Sequence, residues 1–273
     1  MKIRDRDVSF TTPKVMGILN ATPDSFSDGG EFNDTERALL RIGTMISEGA
    51  DIIDIGGEST RPGSDPVTEE EETRRVIPLI RKAVQSFPDV LFSVDTTKFS
   101  VAKLALEAGA HIVNDVSGLK KEPGLAELCA SFGAGYVLMH SQGDPKTMQL
   151  DPQYNDVIKE ISSFFREGIE QLKRAGAVSI ILDPGIGFGK TLHHNCSIVA
   201  GLEKFSNFGY PLLMGASRKS MIGQILNDRP VDGRLAGTIA VHYHSLMKGA
   251  NIIRVHDVQE AADSIKVYNS LES

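Results

Sequence analysis

Five times along this 273-residue chain, a stretch with helical spacing ends in small residues around a glycine and runs into an apolar, β-rich segment. The copies are Glu48-Gly49-Ala50, Glu107-Ala108-Gly109-Ala110, Ser131-Phe132-Gly133-Ala134, Arg174-Ala175-Gly176-Ala177 and Lys248-Gly249-Ala250. A glycine just past a helix end takes the left-handed conformation that closes the helix. Five helix-to-strand joints of one kind describe a repeated βα unit. Apolar runs fall at 15–19, 52–55, 90–94, 112–113, 136–139, 178–182, 211–214 and 252–255. Most are apolar on both faces, as in a parallel sheet covered on both sides. They begin roughly 20 to 45 residues apart, enough for the crossover helix that a parallel pair needs.

Helical spacing is clearest at 34–48, 68–85, 155–175, 232–248 and 257–270. The first places Leu39, Leu40, Gly43 and Ile46 near one face. The second opens on a Thr cap and an acidic first turn from Glu69 to Glu72. The third, the longest, carries Val157, Ile161, Phe164, Phe165, Ile169 and Leu172. Each of the last two has an Asp at its start. Eight units with no linker and no shift in composition predict an α/β protein with one domain over 1–273, a (β/α)₈ or TIM barrel. A doubly wound open sheet is the alternative arrangement of the same units.

The net charge of −7 argues against a general nucleic-acid or anionic-membrane surface, while leaving room for a local basic pocket. The N-terminus MKIRDRDVSF has no apolar signal region, and no stretch approaches the ~18 apolar residues of a membrane span. Cys129 and Cys196 lack metal or redox spacing and read as two buried thiols in a reducing compartment. The expectation is a soluble cytoplasmic protein.

In a barrel of this kind, chemistry sits at the C-terminal ends of the strands. The residues found there are Asn20; Gly56-Gly57-Glu58; Asp95; Asn114 and Asp115; His140; Asp183; Ser217-Arg218-Lys219; and Arg254 with His256. Carboxylates and amides accept from ring N–H groups, and Arg and His hold anions. Their mixture in one ring suits a polar heterocycle with an anionic tail. Two loops are distinctive. Residues 20–30 form a small, polar, Gly-ended loop, longer than the usual ~2 to 6 residues, with the make-up of a lid. Residues 56–64 combine glycines for close backbone approach with one Arg for an anion.

The segments VMGILNATPDSFSDGG (15–30), DIGGESTRPGS (54–64), SVDTTK (93–98), IVNDVSG (112–118), LMHSQGDPKTMQ (138–149), ILDPGIGFGKT (181–191), GASRKSMIG (215–223) and IIRVHDV (252–258) together resemble the dihydropteroate synthase family, across essentially the whole chain. The absence of an insertion beside Phe188 resembles the bacterial housekeeping form. The resemblance implies a transferase of folate biosynthesis. It would join 4-aminobenzoate to (7,8-dihydropterin-6-yl)methyl diphosphate, give 7,8-dihydropteroate and diphosphate, and take sulfonamides as competitive inhibitors. It places Asp95, Asn114, Asp183 and Lys219 around the pterin. Asn20, Thr60, Arg61, Arg254 and His256 meet the diphosphate, with Asn20 also on Mg²⁺. Thr60, Pro62, Gly187, Phe188, Lys219 and Ser220 form the aminobenzoate slot. Asp95, Lys219, Arg254 and His256 are the expected catalytic groups, and a homodimer through the last helices is the expected assembly. Diphosphate departs first in the expected mechanism, and the arylamine then attacks the pterin–methylene cation, which Asp95 offsets.

A pterin-binding methyltetrahydrofolate:corrinoid methyltransferase is the alternative; it would not need the anion-binding loops. A pterin-binding module without catalysis is a third reading, opposed by the intact Asn20, Asp95, Lys219, Arg254 and His256. Other motifs carry less. Gly189-Lys190-Thr191 is not a Walker A element, because position 184 is Pro rather than Gly. His242 and His244, two apart, cannot share a helical face and read as structural or surface residues; His193 and His194 read as exposed. Arg218 either touches an anion or salt-bridges its own loop. Glu58 either meets substrate or orients its loop, and Asp115 supports Asn114.

Overall fold

The computed structural model describes residues 1–22, 30–58, 66–143 and 148–272. Among them, a short antiparallel hairpin of β1 (Lys2–Ile3) and β2 (Arg6–Asp7) precedes eight parallel strands. These are β3 (Lys14–Asn20), β4 (Ile52–Gly56), β5 (Leu91–Asp95), β6 (Ile112–Asp115), β7 (Gly135–Met139), β8 (Ile180–Asp183), β9 (Leu213–Met214) and β10 (Ile252–Val255). Neighbours follow chain order from β3 to β8, and β10 lies between β9 and β3. Leu212, just before β9, bridges Leu182 of β8, and the Leu182 amide donates to the Pro211 carbonyl at 2.9 Å. That bridge closes the ring. A doubly wound sheet would reverse its strand order and stay open, so the fold is the (β/α)₈ barrel.

The connecting helices are α1 (Gly30–Glu48), α2 (Glu69–Ser86), α3 (Phe99–Glu107), α4 (Leu125–Phe132), α5 (Val157–Arg174), α6 (Leu192–Ala200), α7 (Glu203–Ser206), α8 (Ser220–Ile225), α9 (Leu235–Met247) and α10 (Val258–Glu272). All five joint glycines have positive φ, from 62° at Gly133 to 109° at Gly49 and Gly109. Side chains alternate along each strand, and the alternation builds two cores. Val15, Ile53, Phe92, Val113, Leu138, Leu182, Met214 and Ile253 point outward beneath the helices. Met16, Ile52, Leu91, Ile112, Val137, Ile181, Leu213 and Ile252, one from each strand, form an inner floor with Ile3 and Phe10. Two residues further along, the interior turns polar at Asp54, Ser93, Asn114, Asp183 and Arg254. The floor is therefore dry, and the mouth carries the charge.

The structure corrects several expectations. The N-terminal segment plugs the barrel floor: Arg4 donates to the Leu106 and Ala110 carbonyls at 2.9 and 2.6 Å. Two-residue strands have no period to read. The buried face of α1 runs through Ala38, Ile42 and Met45, while Leu40 is 73% exposed. β8 begins at Ile180, and Val178 is exposed. The 232–248 stretch starts as a 3₁₀ turn at Val231–Arg234 before α9. Cys129 is buried, but Cys196 is exposed on the outer face of α6.

Candidate active site

The polar interior centres on Arg254, which β10 carries across the barrel from β4 and β5. Its Nε donates to Asp54 Oδ2 at 2.7 Å, and its Nη2 lies 2.6 Å from the same oxygen and 2.7 Å from Asp95 Oδ2. Asn114 Nδ2, on β6, donates to Asp54 Oδ2 at 2.9 Å. Asp54 is fully buried and Asp95 nearly so. Oδ1 of each has no hydrogen-bond partner among the described residues. Burial pushes the Asp95 carboxyl up to about 7; Arg254 opposes this, and the neighbouring Asp54, Glu72 and Asp115 add to it. Two carboxylates share one guanidinium, and of the two Asp95 is held at the threshold of protonation.

Asp183 ends β8 in a different setting. Its Oδ1 accepts from the Gly185 amide at 2.7 Å, and burial lifts its pKa to about 6 against the pull of Arg254, Lys219 and Lys190. Lys219, just before α8, holds its Nζ 4.2 Å from the centroid of the Phe188 ring. Burial and Arg254 lower it to about 8. A cation over an aromatic face is a stabilising arrangement, and it fixes one wall of a slot. Gly187 completes that wall, with its amide on Asn195 Oδ1 at 2.9 Å. Its φ is +81°, and a Cβ there would stand 3.3 Å from Lys219 Cδ.

The loop after β8 lies on the loop after β7. Gly185 has φ +69°, and a Cβ at that position would sit 2.0 Å from the His140 carbonyl oxygen. Gly185→Ala combines left-handed strain with an unrelieved backbone clash and should destabilise the fold by on the order of 3 kcal/mol or more. Urea unfolding of the two proteins checks this; a loss under about 1 kcal/mol would contradict the geometry.

The remaining expected residues are placed as follows. Asn20 ends β3 beside Gly56 of β4. His256 follows β10, where Ser217 Oγ lies 3.0 Å from its Nδ1 and accepts its backbone N–H at 3.2 Å. Ser220 is the exposed first residue of α8. Thr60, Arg61 and Pro62 lie outside the described residues, as do 23–29 of the first loop. Arg218 pairs with Asp257, Nε to Oδ2 at 3.0 Å, and so supports its loop rather than an anion. Glu58 shares Lys98 with the buried Glu72, which ties the start of its loop to α2. Asp115 does not support Asn114. Its carboxylate accepts from the Ser117 and Leu119 amides at 2.8 and 2.9 Å and from the Tyr136 hydroxyl at 2.5 Å, because it points outward from β6. His242 is buried, and its Nε2 accepts from the Ala216 amide at 3.2 Å; His194 closes a capping box with Thr191. His193 is exposed and His194 partly buried.

Asp54 escaped the reading of strand ends because it is not the last residue of its strand, which runs on to Gly56. The signal for Asp54 was there: a carboxylate inside an apolar strand, two residues before Gly56, must face the interior or the helices.

Comparison with known proteins agrees with this arrangement. Residues 16–256 match the family described as pterin binding enzyme. The dihydropteroate synthase of Escherichia coli strain K12 is 51% identical over 257 residues, which is 93% of this chain and 90% of that protein. The crystal structure of the Yersinia pestis dihydropteroate synthase in a sulfonamide drug complex is 46% identical, with a TM-score of 0.93 over 100% of this chain and 98% of that one. The Xanthomonas albilineans dihydropteroate synthase with 4-aminobenzoic acid is 40% identical, with a TM-score of 0.92 over 99% and 97% of the two chains. Identity at this level over nearly the whole length, together with the shared barrel, shows that the chain belongs to the dihydropteroate synthase family of pterin binding enzymes.

Proposed function

We propose that this protein joins 4-aminobenzoate to (7,8-dihydropterin-6-yl)methyl diphosphate, releasing diphosphate and forming 7,8-dihydropteroate. One observation carries the reading beyond the family likeness: a polar heterocycle's hydrogen-bonding groups and an anion's cations converge on one barrel mouth. The complexes named for the Yersinia and Xanthomonas relatives support an aryl slot that also admits sulfonamides. The corrinoid methyltransferase alternative is not favoured by these relatives.

Asp183 keeps Oδ2 for the pterin's N–H edge while Oδ1 is held by Gly185. Asn114 and Lys219 supply further donors, and Asp95 faces the methylene carbon as it becomes cationic. Arg254 has no hydrogen-bond partner on Nη1 among the described residues, which leaves that edge for a diphosphate oxygen. His256, held by Ser217, supplies a second contact. Phe188, Gly187, Lys219 and Ser220 form the arylamine slot, to which the family resemblance adds Thr60 and Pro62, with Arg61 assigned to the diphosphate. No nucleophilic side chain is required: the chain orients two substrates and stabilises charge. Orientation alone is worth ~7 kcal/mol or more.

The donor set bears on Mg²⁺ as well. Asn20 offers one neutral amide oxygen, and the described residues contain no group of three carboxylates or imidazoles that could hold a metal ion. One hard oxygen fits an ion whose other ligands are water and substrate phosphate. Asn20 would hold Mg²⁺, which when bound supplies positive charge to the departing diphosphate. Met247, Val267 and Leu271, exposed on α9 and α10, support a homodimer through those helices. No described helix is long and apolar enough to cross a membrane.

The assay is release of diphosphate from dihydropterin diphosphate with and without 4-aminobenzoate. Release that depends on the arylamine is expected, and tight pterin binding without any release would overturn the reading. The pH profile of kcat/KM adds a signature, because it reports groups of the free enzyme. Ionised Asp183 and Asp95 are needed, so the rate should rise with pH through about 6 to about 7. Protonated Lys219 is needed, so it should fall above about 8. Asp95→Asn should lower the rate and shift the acidic limb down toward the Asp183 value.

A further inference from the structure

Lys190 has no role in the scheme above, yet it is only 3% exposed. Its Nζ lies 3.0 Å from the Phe188 carbonyl oxygen, 3.2 Å from the His140 carbonyl oxygen and 3.0 Å from His140 Nδ1. Carbonyls can only accept, so this cage suits the side chain in both protonation states. An ammonium donates to all three atoms. A neutral amine donates to the two carbonyls and accepts from His140 Nδ1–H. Burial draws Lys190 down to about 7 and pushes His140 far below its usual value, so the imidazole is neutral and the clamp persists through neutral pH.

Burying an amine is costly unless its bonds do something apolar packing would not. Here they tie together the backbone that follows β7 and the backbone that follows β8. The same two segments meet at Gly185 on His140 and at Gly189, where a Cβ would stand 2.2 Å from the Gln142 carbonyl oxygen. Gln149 donates to the Gly187 carbonyl, and Tyr154 donates to the Gly189 carbonyl at 2.9 Å. Phe188 is the residue in this seam that faces the site. Its carbonyl is bound by Lys190 and its ring lies under Lys219. Asp183, by contrast, is oriented independently by the Gly185 amide.

We propose that Lys190 is a positioning residue for the arylamine: by clamping the Phe188 peptide to His140, it fixes the wall against which the aromatic carboxylate substrate stacks. This rests on the reading of Phe188 as part of the arylamine slot. The consequence is selective. Loss of the clamp should loosen the aryl slot and leave the pterin pocket, held by other bonds, nearly intact.

The test compares the wild-type protein, Lys190→Met, Phe188→Ala and the double variant at pH 8, where Asp183 is ionised with or without Lys190 beside it. Wild-type turnover with both substrates tests the function itself and does not depend on Lys190. Lys190→Met should raise KM for 4-aminobenzoate about tenfold and KM for dihydropterin diphosphate less than about twofold. In the Phe188→Ala background the effect of Lys190→Met on the arylamine should vanish, since both changes act through one wall. An equal rise in both KM values, or the same rise with and without Phe188, would overturn the proposal. If Lys190→Met is recovered unfolded, Lys190→Gln, which retains two N–H donors, is subject to the same two comparisons.

Discussion

Arg254→Met is expected to destabilise the ligand-free protein by about 3–5 kcal/mol, the usual cost of leaving a buried ion pair half-made. The substitution strips two carboxylates of their shared partner: Asp54, fully buried, and Asp95, 7% exposed. Only the Asn114 amide would remain, 2.9 Å from Asp54 Oδ2. The loss should depend on pH with a definite sign. Without Arg254 the already raised pKa of Asp95 rises further, so the folded protein binds a proton that the unfolded chain does not. Stability is then retained at low pH and lost as pH rises, and the penalty should be smaller at pH 5 than at pH 8. Urea midpoints at the two pH values measure it. The triple variant Asp54→Asn, Asp95→Asn, Arg254→Met removes the charges together and should recover much of the stability while staying inactive. A single variant as stable as wild type at pH 8 would show that the guanidinium is not what permits two carboxylates inside the barrel. Activity should fall at least ~10²-fold, the scale for losing one preorganised charge-stabilising donor.

Asp183→Asn separates binding chemistry from folding. Asn can still accept the Gly185 N–H that Asp183 Oδ1 now accepts at 2.7 Å. It then turns an N–H donor toward the pterin's own donors, where the carboxylate offered an acceptor. Sites built to satisfy specific hydrogen bonds reject a mismatched group strongly. KM for dihydropterin diphosphate should rise on the order of a hundredfold or more, with KM for 4-aminobenzoate changing far less. Because burial already raises the Asp183 pKa to about 6, the neutral amide relieves a desolvation cost at pH 8. Its melting temperature there should be no lower than that of wild type. A variant with normal pterin kinetics would remove Asp183 from the pocket.

The barrel was legible because its signals are local and repeated. A glycine forced to positive φ at a helix end is a backbone requirement that survives any packing, and all five such joints were readable. The strand ends were legible for a related reason: a parallel sheet inside helices is mostly apolar until it reaches the mouth, so the polar residue that follows each apolar run marks the edge. The same rule passed over Asp54, whose carboxylate faces inward from mid-strand. It also misassigned Asp115, which shares a strand with Asn114 but points to the opposite face, where Tyr136 and the turn at 117–119 consume it. Alternation decides such cases, and in four-residue strands one residue of register reverses the answer. Leu40 on α1 shows the helical version of this limit, since helical spacing marks a face but not its centre.

The sequence by itself determined the repeated βα unit, the direction of its strands, the ring of polar strand ends and the family to which the chain belongs. Each of these depends on residues close together in the chain or on motifs read as strings. Only the tertiary structure decided that Arg254 spans Asp54 and Asp95, that Lys219 stands over Phe188, that Lys190 clamps Phe188 to His140, and that an N-terminal hairpin plugs the floor. These contacts join residues far apart in the chain. Closing the barrel brings them together, and what each group does then follows from burial and partner rather than from residue type.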